Sequence, residues 1–309
     1  MEVFRVTTDP AIDTAVTVSR GFEDTTPTAI DPAVAGTDPY LYVVGSAYEQ
    51  GSLAPTGVAW DGYLRTNYCQ IFRHTTEITG TAAQTYTRDT PKGAFVAQRQ
   101  KLARDMARQV EMGMWFGRKK ATTQNGKPLY TMDGLFAQLP TENVVTADTS
   151  TGTDMLALEE YLYNAFQYGS SQKMAFCGNR AALTLNQILR KNSTWEIYGN
   201  EKEYGMHVSK LVCPFGELTF KTHPLFTYMN GGTVGGTKFY GAESYFAILD
   251  PTNLKYVSLR NRDIMVQKNL QLPGADGLKE GYLGEVSIEV GLPKTMYLIK
   301  NLALAKKDA

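Results

Sequence analysis

The chain has 309 residues, 43% of them hydrophobic and 20% charged, enough for one large domain or two modest ones. Lys and Arg number 31, as do Asp and Glu, and the zero net charge excludes a nucleic-acid binder that works through global charge. A neutral surface also repels its own copies weakly, which suits self-assembly.

Residues 1–59 show few regular signals. They carry Asp9-Pro10, Pro27, Asp31-Pro32, Asp38-Pro39 and Pro55 among many Thr, Ala and Gly. Proline holds itself and the residue before it in extended or turn conformations. The run Tyr40-Leu41-Tyr42-Val43-Val44 is the one convincing strand, and the region reads as an extended arm. Residues 60–92 read as a long β-ribbon. Cys69, Ile71 and Arg73 alternate with Gln70, Phe72 and His74, the pattern runs through Glu77-Ile78-Thr79 to a turn at Gly80, and it resumes over 83–87. The ribbon is poor in apolar residues, and two strands alone are marginal in water, so it needs a neighbour.

The spacing predicts a helix over 94–118. At 100° per residue, Phe95, Val96, Leu102, Ala103, Met106, Ala107, Val110 and Met114 fall within an arc of about 140°, with Lys101, Arg104, Asp105, Arg108 and Glu111 opposite. About 25 residues at 1.5 Å each give a rod of roughly 37 Å. Arg99 interrupts the apolar arc and either snorkels to its rim or pairs with a carboxylate of another segment. Trp115 and Phe116 leave the stripe, which predicts a last turn packed on two sides.

A second unit begins near residue 150. Thr153 is placed to N-cap a helix from Asp154 to about Gln167, with Gly169 as a stop. Residues 174–177 read as a buried strand, and Asn179 as the cap of a helix through 181–191. A hairpin follows over 208–213 and 218–222, turning at Pro214-Phe215-Gly216, and then a flexible glycine-rich loop over 231–236. Strands are predicted over 245–249, 254–259, 286–290 and 296–299, with turns at 273–277 and a break at Leu292-Pro293. Helices beside buried strands indicate a mixed α/β layer.

Nothing in the chain assembles a catalytic or metal-binding motif. His74, His207 and His223 lie on strand-like segments without a second ligand at i+2 or i+4, and HExxH and GxSxG are absent. Glu159-Glu160 are adjacent on a helix and point apart. Cys69, Cys177 and Cys213, widely spaced and without a CxxC pair, read as reduced thiols. The Gly-Gly-Thr-Val-Gly-Gly loop lacks the GK[ST] ending of a phosphate loop. No window holds the ~20 apolar residues of a membrane span, and the first residues lack the order of a signal peptide. Lys101, Arg104 and Arg108, with Arg118-Lys119-Lys120 beyond, form the one local positive patch: a solvated face, or a contact for phosphates or for acidic residues of a neighbour.

The block Asn67-Tyr68-Cys69-Gln70-Ile71-Phe72-Arg73, then Glu77-Ile78-Thr79-Gly80-Thr81, then Lys101-Leu102-Ala103-Arg104-Asp105-Met106 resembles tailed-bacteriophage major capsid proteins with the Hong Kong 97 fold. The match covers roughly residues 60–120 and is supported by element order elsewhere. The resemblance implies an α+β fold with an N-terminal arm (1–59), an E-loop (60–92), a peripheral or P domain with a long spine helix (93–149), a mixed α/β axial or A domain (150–259) and a return to P-domain strands (260–309). It implies a non-enzymatic protein, without cofactors, whose copies form hexamers and pentamers of an icosahedral shell around phage double-stranded DNA. Such a shell is assembled in the bacterial host cytoplasm. Ile71, Phe72, Arg73, Glu77, Ile78 and Arg88 of the E-loop are the implied contacts with a neighbouring subunit. Lys101, Arg104 and Arg108 are candidates for weak, non-specific DNA contact or for a neighbour.

Separate scaffolding, portal and decoration proteins are the implied partners, since the chain starts at Met1 without a long charged helical prefix. Lys92 is the lysine to consider for an inter-subunit cross-link, but no motif assigns one. The loops over 193–205 or 229–238 are candidates for the symmetry axes. An encapsulin-like nanocompartment shares the fold. Two other readings are a soluble α/β enzyme or carbohydrate-binding domain with a pocket near Trp195, Tyr198 and Tyr204, and a tube or decoration protein of a virion.

Overall fold

A computed structural model describes residues 5–6, 18–19, 45, 48–54, 62, 64–85, 93–147, 152–192, 197–203, 206–229, 231–234, 237–239 and 241–302. The chain divides into two units, 1–63 and 64–309. In the first, β1 (Arg5–Val6) pairs antiparallel with β2 (Val18–Ser19), and Ser52 donates its N–H to Glu49 O at 3.2 Å across a turn. The strand expected at 40–44 lies outside the described residues.

In the second unit β3 (Gln70–Thr79), α1 (Gly80–Gln84) and α2 (Ala94–Phe116) are followed by β4 (Lys120–Gln124), β5 (Lys127–Thr131), α3 (Leu135–Gln138) and β6 (Val144–Thr146). Then come α4 (Met155–Phe166), β7 (Gln172–Cys177), α5 (Asn179–Asn192), β8 (Ile197–Glu203), β9 (Met206–Cys213), β10 (Gly216–Thr222) and α6 (Pro224–Tyr228). The chain finishes with β11 (Gly232–Val234), β12 (Thr237–Phe239), β13 (Phe246–Leu249), β14 (Leu254–Ser258), β15 (Met265–Gln267), β16 (Gly277–Val290) and β17 (Tyr297–Lys300).

Two sheets organise these elements. In the first, β16 is central: β3 pairs antiparallel along one edge from Thr79↔Gly277 to Gln70↔Val286, and β14 and β15 share the other. Helix α2 covers one face, where Phe72, Met106, Val110, Met132 and Val286 form a core. The second sheet has seven strands in the order β6-β17-β13-β7-β10-β9-β8. Its strand β13 is buried at all four residues. Period-2 alternation sends Phe246 and Ile248 into a core with Leu158 and Leu162 of α4 and Leu185 of α5. Ala247 and Leu249 enter a second core with Trp115, Leu135, Phe226 and Leu298.

Helix α2 therefore enters two cores, one through Met106 and Val110 and the other through Trp115. The Trp115 ring lies 4.9 Å from Phe226, 5.3 Å from Phe136, 5.5 Å from His223 and 5.7 Å from Phe176 between centroids. This is the two-sided last turn expected from the sequence. The helix stops at Gly117, and Gly134 donates its N–H to Gly117 O at 3.0 Å. A Cβ on Gly134 would sit 2.6 Å from Gly117 N and 2.8 Å from Gly113 O, so no side chain fits between these backbones.

Several expectations need correction. The turn at Gly80 and a returning strand over 83–85 do not form. Thr79 is instead an N-cap whose Oγ1 accepts the Ala82 N–H at 3.4 Å, and the Ala-containing segment that follows is helical. The neighbour that β3 needs is β16 of the same chain. Asp154, not Thr153, caps α4, its Oδ1 accepting from Ala157 N at 2.9 Å. A carboxylate is the better acceptor at a helix N-terminus, and Thr153 is buried. The glycine-rich segment is a small antiparallel hairpin, β11–β12, rather than a loop. The sheets also cross the boundary drawn at 259/260: β14 joins β16, whereas β17 lies between β6 and β13.

Lys173 is a buried cation that periodicity does not flag. Only 3% exposed, it donates from Nζ to Ala165 O and Tyr168 O at the end of α4 (both 2.7 Å) and to Thr295 O (2.6 Å). It thereby ties free carbonyls of the helix terminus to the turn before β17. Asp250, also buried, accepts from Ser170 N at 3.2 Å and Asn253 Nδ2 at 2.9 Å nearby.

Burial pushes the Lys173 ammonium down from 10.5 to about 8, and the Asp250 charge opposes the shift. Between these values the unfolded chain holds the proton that the folded chain releases, so this group makes stability rise with pH from about 8 towards 10.5. Urea unfolding at pH 7.5 and 9.5 is expected to show a pH slope in the wild type that is smaller in Lys173→Met; equal slopes would contradict it. Gly134→Ala is expected to lower stability by about 2 kcal/mol or more, because backbone atoms must move to admit the methyl group. A denaturant midpoint within error of wild type would show the approach to be looser than described.

Candidate functional site

The long sheet has one covered and one open face, and strand alternation decides which residues lie on each. From β3, Phe72 and Ile78 point to the covered side and are each 6% exposed. Helix α2 comes so close there that a Cβ on Gly113 would lie 2.9 Å from Phe72 Cζ. Phe72 and Ile78, expected from the sequence as contacts with another subunit, are therefore packed inside their own chain. Ile71, Arg73 and Glu77 alternate to the open face, where Ile71 is 55% exposed and the other two are exposed. Arg88 and Lys92 lie outside the described residues.

The open face is laced by cross-strand ion pairs with apolar positions between them. Lys279 lies directly opposite Glu77 and reaches it at 2.8 Å. Arg262 Nε meets Glu285 Oε2 at 2.7 Å, and Lys255 pairs with Glu289 at 3.8 Å. Ile71 faces Glu285, and Arg73, Leu283 and Met265 form a row across three strands. Exposed pairs of this kind add little stability, so their main effect is to fix charge positions on the surface. The outer edge of β3 pairs with no strand among the described residues, leaving ten residues of edge backbone.

On the covered side Arg99 resolves the choice left open by the sequence. It does not snorkel alone, since its Nε lies 3.6 Å from Glu280 Oε2 on β16. Lys101, Arg104 and Arg108 lie along one exposed stripe of α2, and none forms an ion pair with a described residue. Glu111, one turn on, is held by His223, whose Nε2 lies 2.7 Å from Glu111 Oε1. His223 caps α6 beside Trp115 rather than lying within a strand.

Lys119 is tied down, donating from Nζ to Thr66 O at 2.6 Å and lying over the Tyr68 ring at 5.2 Å. Arg118 and Lys120 are exposed. Sequence reading overlooked the hairpin β4–β5 that follows. Its signal was Asn125-Gly126, which take φ of +50° and +74°, the two left-handed positions of a tight hairpin turn.

The groups capable of chemistry are quiet. Burial pushes the Cys177 thiol up to about 12 and raises Cys69 and Cys213 as well, with the Glu285 charge adding to the shift at Cys69. Among the described residues no group of three His, Cys, Asp or Glu is placed to hold a metal ion. No helix among them is long and apolar enough to cross a membrane. Of the pocket proposed around Trp195, Tyr198 and Tyr204, only the backbone of Tyr198, in β8, is described.

The arrangement of a long helix beneath one sheet and beside another belongs to a fold found in solved structures. The encapsulin of the holo-SrpI complex from Synechococcus elongatus PCC 7942 superposes with a TM-score of 0.51 over 78% of this chain and 76% of that one, at 8% identity. Mycobacterium phage Patience gives 0.50 over 89% of this chain and 79% of that one, also at 8% identity. At such identities the likeness is one of fold: α+β, of the Hong Kong 97 type. In sequence, the major capsid protein of Pseudomonas phage PaMx41 is 27% identical over 206 residues, 64% of this chain and 49% of that protein. The chain thus spans about half the length of this relative. The family model for the SU10 major capsid protein matches residues 8–303, nearly end to end, and the chain belongs to that family.

Proposed function

We propose that the protein is the major structural subunit of a phage head, assembling as hexamers and pentamers into an icosahedral shell around double-stranded DNA in the host cytoplasm. The observation that carries this reading is the family match over residues 8–303. The geometry supports it: an open sheet face bearing Ile71, Arg73 and Glu77, and an unpaired β3 edge, leave surface for other copies. Obligate interfaces of more than ~2,000 Å² are the scale such a shell requires. In this reading 1–59 is an arm, 60–92 the E-loop, which includes Arg88, and α2 the spine helix of a P domain. By the same reading β14, paired with β16, belongs to the P domain, and β17, between β6 and β13, to the A domain. Lys101, Arg104 and Arg108 contact DNA weakly or meet a neighbour. Scaffolding, portal and decoration proteins are separate partners, and the role is structural rather than enzymatic.

The encapsulin fold supports a second reading, a nanocompartment shell around protein cargo. Nucleic acid rather than a cargo enzyme inside purified particles separates the two.

The test compares the two faces of β3. Ile71→Asp, on the open face opposite Glu285, is expected to cost about 1–2 kcal/mol, less than the covered-face change, yet form no shells in negative-stain images. Phe72→Ala, on the covered face, is expected to lose about 3–5 kcal/mol and to unfold at lower denaturant. Normal shells from Ile71→Asp would remove this face from the assembly contacts. A wild-type protein that stays monomeric at micromolar concentration would overturn the capsid reading itself.

A further inference from the structure

The hairpin β4–β5 stands out from the surface that bears it. Of its ten strand residues all but Thr131 are exposed. Yet it is fixed at its base: the Tyr130 ring packs at 5.0 Å on Tyr68, Thr131 Oγ1 donates to Arg118 O at 2.7 Å, and Asp133 Oδ1 accepts from Lys119 N at 2.7 Å. Its Asn125-Gly126 turn sets the register without help from a core. It is thus a preorganised projection rather than a slack loop.

Its charge is one-sided. Between Glu111 and Asp133 the chain carries Arg118, Lys119, Lys120 and Lys127 and no carboxylate side chain, although the whole protein is neutral. On the long sheet, by contrast, Lys279, Arg262 and Lys255 each pair with a glutamate. Arg118, Lys120 and Lys127 pair with no described residue. The register puts Lys120 with Thr131, Thr122 with Leu129, and Gln124 with Lys127 on one face. The other face carries Ala121 with Tyr130, whose ring meets Tyr68. One face therefore presents a cation at each end, about 13 Å apart at ~3.4 Å per residue. The Thr122 hydroxyl and Leu129 lie between them, and the Gln124 amide lies beside Lys127.

We propose that this hairpin is a binding site for the phosphodiester backbone of duplex DNA, with Arg118, Lys120 and Lys127 as the phosphate contacts and Thr122 and Gln124 as neutral donors beside them. Five phosphates of one strand span a similar length along the duplex axis at ~3.4 Å per interval, so the spacing of the two cations matches the backbone of one strand. The contacts carry no sequence information, because lysine and arginine here meet charge rather than base edges. The α2 stripe is diluted by Asp105 and Glu111, whereas the hairpin is not. Three contacts make a weak site in one copy, and repetition over many copies makes a strong one. The capsid reading enters only as the reason DNA is at hand.

The experiment measures fluorescence anisotropy of a labelled 20-base-pair duplex with the full chain between 50 and 200 mM KCl. Wild type is expected to bind with a salt slope that falls by about 2–3 in the triple variant Arg118→Ser/Lys120→Ser/Lys127→Ser, with affinity at 50 mM lower by tenfold or more. Lys120→Arg/Lys127→Arg, which keeps the charge, is expected to bind as wild type does. Circular dichroism confirms that the variants fold. Unchanged binding in the triple variant, no wild-type binding at 50 mM, or binding of polyglutamate in preference to duplex would each overturn the proposal, the last by assigning the hairpin to an acidic protein. Negative-stain imaging of the same samples keeps the two readings apart. Shells without hairpin-dependent DNA binding overturn this inference alone; hairpin-dependent binding without shells overturns the capsid reading alone.

Discussion

The fold depends on one shared element. Helix α2 buries Met106 and Val110 under the long sheet and Trp115 under the seven-stranded sheet, so neither core is complete without it. Close-packed interiors transmit displacement rather than absorb it, and a rod rooted in two of them fixes their relative orientation. The Gly113, Gly117 and Gly134 approaches tighten that junction by removing the side chains that would hold backbones apart. His223 and Glu111 add a polar tie at the same end of the helix.

The long sheet shows how one secondary structure serves two purposes. Its covered face is apolar and matched to α2, and its open face is held in register by opposed charges. Because side chains alternate with a period of two, neighbouring residues of β3 have unrelated duties: Phe72 stabilises the chain, while Ile71 is left for whatever lies outside. In the capsid reading that exposed row has a context, since a shell subunit must present extensive surface to its copies.

Much of this was legible in the residues. The amphipathic period revealed α2 almost to its ends, and of the two readings that Arg99 left open in its apolar arc, snorkelling or an ion pair, the pair forms, with Glu280. Local alternation marked β3 but could not say what β3 pairs with, because its partner β16 is remote in sequence. Grouping Phe72 and Ile78 with Ile71, Arg73 and Glu77 as outward contacts went astray for a related reason: the pattern shows that Phe72 and Ile71 face opposite ways but not which way is out. Thr153 and Asp154 are both good caps, and only the helix start separates them. Lys173 was invisible, since a buried cation is created by carbonyls from distant segments. The hairpin signal at Asn125-Gly126 was readable but stood next to a basic run that drew attention as charge alone.

The position of β17 has a kinetic meaning. The last described strand lies between β6 and β13, pairing parallel with one and antiparallel with the other, and β16 just before it is the centre of the other sheet. A chain still being synthesised has α2 and most of the described strands in hand, but neither sheet is complete until residues 277–300 emerge. Long-range pairings of this kind form late and slowly. Both sheets thus wait on one stretch of chain, residues 277–300, and a segment made earlier has no finished sheet edge against which to pack.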